Sequence, residues 1–195
     1  MKILICSDIH GSKRACLYIK KLMEENNFDY LFLLGDNLYN GPRNYVEEDY
    51  DPKFCFETLN LFSNKIVACK GNCESDVDLM VLQFKLPKFN AIKLSDKTFY
   101  LIHGDDDTYD IKELKENEIL LKGHTHIPLM QKLGKGIYLN PGSMTFPKGS
   151  LDKSYMIFTD DDIKLIEFEY DNNDNPYIKS EKYYSKEQKI YNKLG

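Results

Sequence analysis

An α/β fold is predicted for this 195-residue chain by three features: brief apolar runs that end abruptly, an amphipathic stretch between the first two, and a polar turn of recurring form. Each recurrence sets glycine beside Asp, Asn or His. Residues 2–6 are apolar throughout after Lys2, the pattern of a strand buried on both faces. Ser12 then offers a helix cap. Over residues 13–26 Cys16, Leu17, Ile19, Leu22 and Met23 share one face, with Lys20, Lys21, Glu24 and Glu25 mainly opposite. Asn26-Asn27 stops that helix. Residues 30–34 form the next apolar strand, and a strand-helix-strand unit of this kind makes a right-handed parallel crossover.

Residues 37–52 read as a long loop containing Asn40-Gly41-Pro42-Arg43-Asn44 and the acidic stretch Glu47-Glu48-Asp49, and loops of that length in a compact domain tend to be functional. Pro52 opens a helix running to about residue 63, and residues 65–69 form a third buried strand that empties into Gly71-Asn72-Cys73-Glu74. A short helix is expected over 75–82. Strands follow over 91–94 and 98–102 around Ser95-Asp96, and then comes His103-Gly104. Asp105-Asp106-Asp107 reads as a solvated loop, with a second metal cluster beside His103 as the alternative. A brief helix at 111–115 leads to a strand at 118–122 and to Gly123-His124-Thr125-His126. Strands at 129–133 and 137–139 flank Gly134-Lys135-Gly136 and end in Asn140-Pro141-Gly142-Ser143, and 155–159 pairs with 164–170 over Asp160-Asp161-Asp162. Residues 1–195 are expected as a single domain, with 171–195 a peripheral polar tail that adds an edge strand or short helix.

Composition narrows the function. With 42% hydrophobic and 29% charged residues the chain has an ordinary globular balance, and its net charge of -5 with no basic block excludes a grip on long nucleic acid. A small anionic substrate then needs local positive charge, which bound metal ions supply. The five cysteines Cys6, Cys16, Cys55, Cys69 and Cys73 are odd in number and contain no C-x-x-C pair, which speaks against a disulfide framework and a zinc knuckle. Reduced thiols and a cytoplasmic location are expected. No signal peptide is seen and no run approaches the ~20 apolar residues of a membrane span, so no membrane partner is expected. The 14 tyrosines and 11 phenylalanines provide aromatic surface for a homodimer or homotetramer.

The polar turns carry the chemistry. Six apolar strands end near Asp8, Asp36, Asn72, His103, His124 and Asn140, and the carboxyl ends of strands in layered α/β sheets converge on one edge. All four histidines, His10, His103, His124 and His126, sit in such turns. Together Asp8, His10, Asp36, Asn72, His103, His124 and His126 offer seven oxygen or nitrogen donors. Seven is too many for one four-coordinate ion and suits two ions sharing a carboxylate. The mixed donors favour Mn, Fe or Zn over Ca or a thiolate site.

The series Asp8-Ile9-His10, Gly35-Asp36, Gly71-Asn72-Cys73-Glu74, His103-Gly104 and Gly123-His124-Thr125-His126 resembles that of the calcineurin-like metallophosphoesterases, in complete order. The motifs span residues 8–126 and the predicted strands extend the match to about residue 170. Within the family the chain looks most like the small, cap-free YfcE-type phosphodiesterases, through Gly71-Asn72-Cys73, the Asn40 to Asn44 loop and Asn140-Pro141-Gly142-Ser143. The resemblance implies a four-layer α-β-β-α sandwich, two mixed sheets face to face with helices outside. It also implies that Asp8, His10 and His126 hold one metal, that Asn72, His103 and His124 hold the other, and that Asp36 bridges them. Mn is the metal expected, with Ni, Fe, Zn and Co as alternatives.

The reaction so implied is hydrolysis of a small phosphodiester by in-line attack of a metal-bridging hydroxide, with Asp36, Asn72 and His124 acting through it. No protein nucleophile is then needed from Ser7, Ser12 or a cysteine. Many family members carry histidine where this chain has Cys73, and a thiol beside two cations is a poor proton donor. For Cys73 a catalytic role and a buried filler both stand. Arg43 can clamp a phosphate oxygen, with Asn72 beside it, or can pair with Glu47 or Glu48. Asn37, Lys70, Glu74 and residues 140–143 either support the ligands or serve as ordinary turn residues. Two further functions compete: a non-catalytic scaffold on the same fold, as in the retromer subunit, and a phosphomonoesterase or dinucleoside polyphosphate hydrolase of the superfamily.

Overall fold

The computed structural model describes residues 1–106, 108–109 and 111–184, with the backbone of 190–192. Its first strand, β1 (Lys2–Cys6), alternates between two cores. Leu4 and Cys6 pack with Ala15, Cys16 and Ile19 of helix α1 (Lys13–Glu25), whereas Ile3 and Ile5 face Phe99, Leu101, Ile119 and Leu121 across a gap filled by a second sheet. That two-sided burial explains the unbroken apolar run. Parallel to β1 lies β2 (Tyr30–Leu33), and parallel to β2 lies β3 (Ile66–Ala68), with α2 (Pro52–Asn60) and α3 (Asp76–Val81) on the connections around it.

The second sheet is built from β4 (Phe89–Leu94), β5 (Lys97–Ile102), β6 (Glu118–Lys122), β7 (Leu129–Leu133) and β8 (Gly136–Asn140), in the order β4-β5-β6-β8-β7. The chain then returns to the first sheet through β9 (Lys153–Thr159), β10 (Ile163–Tyr170), β11 (Pro176–Tyr184) and β12 (Ile190–Asn192), giving β12-β11-β10-β9-β1-β2-β3. Both sheets mix parallel and antiparallel pairs. They lie face to face, joined by edge-to-face contacts of Phe99 with Phe32 at 5.4 Å and with Phe158 at 5.1 Å between ring centroids. Helices cover the outer face of the larger sheet. Among the described residues no helix is long and apolar enough to cross a membrane.

The parallel pairs set up the site. β1, β2 and β3 run parallel in one sheet, and β5, β6 and β8 run parallel in the other. Their carboxyl ends therefore lie on one edge, and these are the six strands that precede the Gly-bearing turns.

Two segments differ from the sequence expectation, and in a third one of two alternatives is realised. Residues 111–115 are not helical; Leu114 is buried and bridges to Gly134, and its carbonyl accepts from the Lys135 N–H at 2.8 Å, so strand-like pairing uses the groups a helix needs. α2 stops at Asn60 because residues 61–65 tighten into turns, with Leu61 N–H donating to Thr58 O at 3.2 Å. The segment after residue 170 contributes the nine-residue strand β11, paired along the length of β10. Asp107, Asp110 and residues 185–189 and 193–195 lie outside the described residues.

Candidate metal centre

The seven donors named from the sequence come together at the shared edge and separate into two groups. In one, His126 Nε2 lies 3.2 Å from Asp8 Oδ1 and 3.4 Å from His10 Nε2. In the other, His103 Nε2 lies 3.1 Å from Asn72 Oδ1 and 3.3 Å from His124 Nδ1. Asp36 Oδ2 stands between them, 3.8 Å from His10 Nε2 and 3.4 Å from His103 Nε2. Three sets of ligand atoms converge within 4.8 Å, namely Asp8-His10-His126, Asp8-Asp36-His103 and His10-Asp36-Cys73.

The backbone at these turns is unusual. Asp8, His10, Asp36, His124 and His126 all adopt positive φ, between 50° and 63°. Non-glycine residues in that region are strained, and such strain persists where the surroundings impose it. Here the surroundings are backbone bonds between turns: Asp8 N–H donates to Gly35 O at 3.1 Å, and His10 N–H donates to Asp36 O at 2.8 Å. Gly71 is required by proximity, since a Cβ there would collide with Asp36 Oδ1.

Three of the four histidine rings, all but His124, are oriented from behind by a backbone carbonyl. The Nδ1 of His10 faces Tyr39 O at 2.9 Å, that of His103 faces Leu34 O at 2.6 Å, and that of His126 faces Phe146 O. With those Nδ1–H groups donating to carbonyls, Nε2 is left as an acceptor facing the centre, as a metal requires. Asp8 Oδ1 is buried with no hydrogen-bond partner. A carboxylate oxygen of this kind is costly unless a cation meets it, so the residues fit a hard divalent ion.

The electrostatics follow from crowding. Burial alone would raise the Asp36 carboxyl, but His103 and the Cys73 N–H hold it well below the usual range. For His103 burial is opposed by Asp36 and Asp8, which push its pKa up to about 9. Burial lowers His10 and, with the neighbouring His103 charge, His124. His126 is raised because Asp8 outweighs burial. An ion held there would have to displace the proton shared by Asp36 and His103, so its uptake would weaken as pH falls.

Glu74 organises the floor. Its buried carboxylate accepts from Asp36 N–H at 3.0 Å, Asn37 N–H at 2.6 Å, the Asn37 amide at 2.7 Å and Gly71 N–H at 2.6 Å. It thereby ties the Gly35-Asp36 turn to the Gly71-Asn72 turn. Residues 140–143 also support the site: Asn140 donates to Gly123 O at 2.9 Å and Ser143 Oγ donates to Asp8 O at 2.9 Å. Thr145 and Phe146, which the sequence did not single out, continue this support. Thr145 Oγ1 donates to Ile9 O at 2.7 Å, and Phe146 presents the carbonyl that orients His126.

A cleft of about 650 Å³ opens over the centre, lined by His10, Asp36, Asn72, Cys73, His124 and His126, with Arg43 and Lys148 also on its wall. Arg43 makes no ion pair with Glu47 or Glu48; Glu47 instead meets Arg14 at 3.8 Å. Lys148 carries no sequence signal, because an isolated lysine eight residues past a turn looks like any surface lysine. Cys73 is half-buried at the cleft, where burial and the charge of Asp36 raise its thiol pKa. Asp105 and Asp106 are exposed and join none of the convergent groups.

A calcineurin-like phosphoesterase superfamily domain matches residues 1–162. The chain is 36% identical over 168 residues to phosphodiesterase YfcE of Escherichia coli, covering 85% of this chain and 91% of that protein. The solved structure of YfcE superposes with a TM-score of 0.81 at 34% identity, over 93% of this chain and 98% of that one. Zinc-complexed Vps29 of Entamoeba histolytica aligns with a TM-score of 0.58 at 18% identity, over 92% and 97% of the two chains, a likeness of fold alone. The chain belongs to the calcineurin-like phosphoesterase superfamily and is by that membership a phosphoric ester hydrolase, built on two mixed sheets with flanking helices.

Proposed function

We propose that this protein is a cytoplasmic phosphodiesterase that uses two divalent metal ions, Mn before Ni, Fe, Zn or Co, to hydrolyse a small phosphodiester. The observation that carries this reading is the division of seven donors into two groups with Asp36 between them. Asp8, His10 and His126 would hold one ion, and Asn72, His103 and His124 the other. When bound there, such ions supply acidified water as nucleophile and positive charge for the phosphoryl oxygens. The remaining work falls to the chain. Asn72 and His124 hold the phosphoryl end of the site at the cleft floor, and Arg43 and Lys148 offer cations to the non-bridging oxygens of the ester.

Cys73 supports the diester preference. Its Sγ accepts from the Asn72 amide at 3.3 Å, and beside two bound cations the thiol would be drawn toward thiolate, a poor proton donor to a leaving oxygen. Esters that leave without protonation are then favoured. The scaffold reading finds no support in a site with every ligand position filled. The free thiols suit a reducing compartment.

The test is direct. With Mn, the purified protein should hydrolyse bis(p-nitrophenyl) phosphate faster than p-nitrophenyl phosphate, and Asp36→Asn should lower both turnover, by about a hundredfold or more, and metal content measured by emission spectrometry. No turnover of either ester with two ions bound defeats the proposal, and so does an Asp36→Asn protein with unchanged metal content.

A further inference from the structure

Beside Asn72 and His103 lies a second pocket of about 270 Å³. Those two residues also belong to the candidate metal centre, and Asn72 lines both this pocket and the cleft over the centre, so the two lie side by side. The rest of its lining includes Lys70, Lys88, Asp105 and Tyr109. Tyr109 is 39% exposed and stacks on Phe89, with ring centroids 5.4 Å apart and planes 23° from parallel. Phe89 in turn stacks on Tyr100 at 6.0 Å. Phe89 does not line the pocket, so the part of Tyr109 that does is surface Phe89 leaves uncovered. The result is a backed aromatic platform beside the ligand cluster.

The rim is polar but not strongly charged. Lys88 is 3.9 Å from Asp106, and Lys70 is 3.9 Å from Asp76, whose side chain is 92% exposed and lies outside the lining. Glu74 is fully engaged with N–H groups. Balanced lysines and aspartates do not select a second anion. They supply donors and acceptors to the edge of a flat ring lying against Tyr109, and stacking of this kind tolerates varied rings because each has a π-face.

We infer that this pocket receives the retained arm of the phosphodiester and that the arm is a planar aromatic group, an aryl ring or a nucleobase. The inference rests on the phosphodiesterase reading and extends it to substrate class. In-line displacement sends the leaving oxygen away from the ligand cluster, toward the open cleft with Arg43 and Lys148, so a pocket beside Asn72 and His103 takes the other ester arm. The volume accommodates one ring rather than a drug-sized molecule.

The experiment compares methyl p-nitrophenyl phosphate, phenyl p-nitrophenyl phosphate and thymidine 5′-(p-nitrophenyl phosphate), which share a leaving group and differ in the retained arm. Tyr109→Ala should reduce kcat/KM by about tenfold for the phenyl ester, the thymidine ester or both, mainly through KM, and leave the methyl ester unchanged. Which of the two aromatic esters loses more identifies an aryl ring or a nucleobase as the better occupant. Tyr109→Phe, which keeps the stack, should restore wild-type behaviour. Calorimetric binding of methyl(phenyl)phosphinate, whose two P–C bonds cannot be hydrolysed, should weaken in Tyr109→Ala by a similar factor, whereas dimethylphosphinate binding should not change. Equal losses for methyl and aromatic esters, or no loss for either aromatic ester, overturn the assignment while leaving the phosphodiesterase reading intact. Failure of the wild-type protein to turn over any of the three esters defeats that underlying reading instead.

Discussion

Glu74 is the residue on which the geometry of the centre turns, although it binds nothing itself. One carboxylate accepts four N–H bonds, and it does so under protest from its environment, since burial and the charge of Asp36 both raise its pKa. Glu74→Gln preserves the shape but replaces an acceptor oxygen with an NH₂ group facing N–H donors. We expect it to cost about 2 to 3 kcal/mol, a fall in Tm of roughly 5 to 10 °C, and to weaken metal binding about tenfold or more. Thermal unfolding and metal titration of the variant check both; an unchanged metal affinity would show that the two turns are held together by other contacts. The same scale holds the left-handed conformations at Asp8, His10, Asp36, His124 and His126. Nothing in a linear sequence announces them, because Asp and His tolerate that region without requiring it.

At the scale of elements, the long loop at residues 37–52 does structural work as well as framing the cleft. Asp49 accepts from Ser12 Oγ at 2.6 Å and from Arg14 N–H at 2.9 Å, so the end of the loop completes the cap of α1. Burial would raise the Asp49 carboxyl, but Ser12 and Arg14 outweigh it and depress its pKa. A carboxyl depressed in the folded state contributes stability that is fully present above its unfolded value of about 3.9 and is lost as pH falls through the folded value. Asp49→Asn should therefore destabilise the protein by about 1 to 2 kcal/mol near neutral pH. The gap between variant and wild type should close in unfolding titrations carried below about pH 3.9. A gap that stayed constant into acid would show that charge is not what Asp49 contributes. The helix expected at residues 111–115 fails at this scale too, since its local pattern was overridden by pairing of Leu114 with Gly134, a partner only the fold brings near.

For the whole molecule, the decisive fact is that two separate sheets deliver candidate metal donors to one edge, so their mutual position is part of the site. That position is fixed by the apolar layer between them, in which Phe99 of the smaller sheet sits edge-on to Phe32 and Phe158 of the larger. Phe99→Ala should cost about 3 to 5 kcal/mol and lower Tm by roughly 10 °C in calorimetry. A loss under about 1 kcal/mol would mean that the sheets are held in register by other contacts.

Much of this was legible in the chain itself. Continuous apolar runs mark strands buried on both faces, and the Gly-bearing turns after them name Asp8, His10, Asp36, Asn72, His103, His124 and His126. Those signals are local: burial writes itself into hydrophobic pattern, and metal chemistry into residue type. The supporting residues were less visible. Glu74 and residues 140–143 were only ambiguous turn residues in sequence, while Thr145, Phe146 and Lys148 carried no signal. Their roles depend on partners far along the chain, as when Thr145 Oγ1 donates to Ile9 O, or when Tyr109 and Phe89 stack beside Asn72 and His103. The sequence by itself determined which strands exist and which side chains can bind metal. Only the tertiary structure decided how closely the seven donors approach one another, which groups hold them there and where a second pocket opens, because those are distances between residues that the chain brings together only by folding.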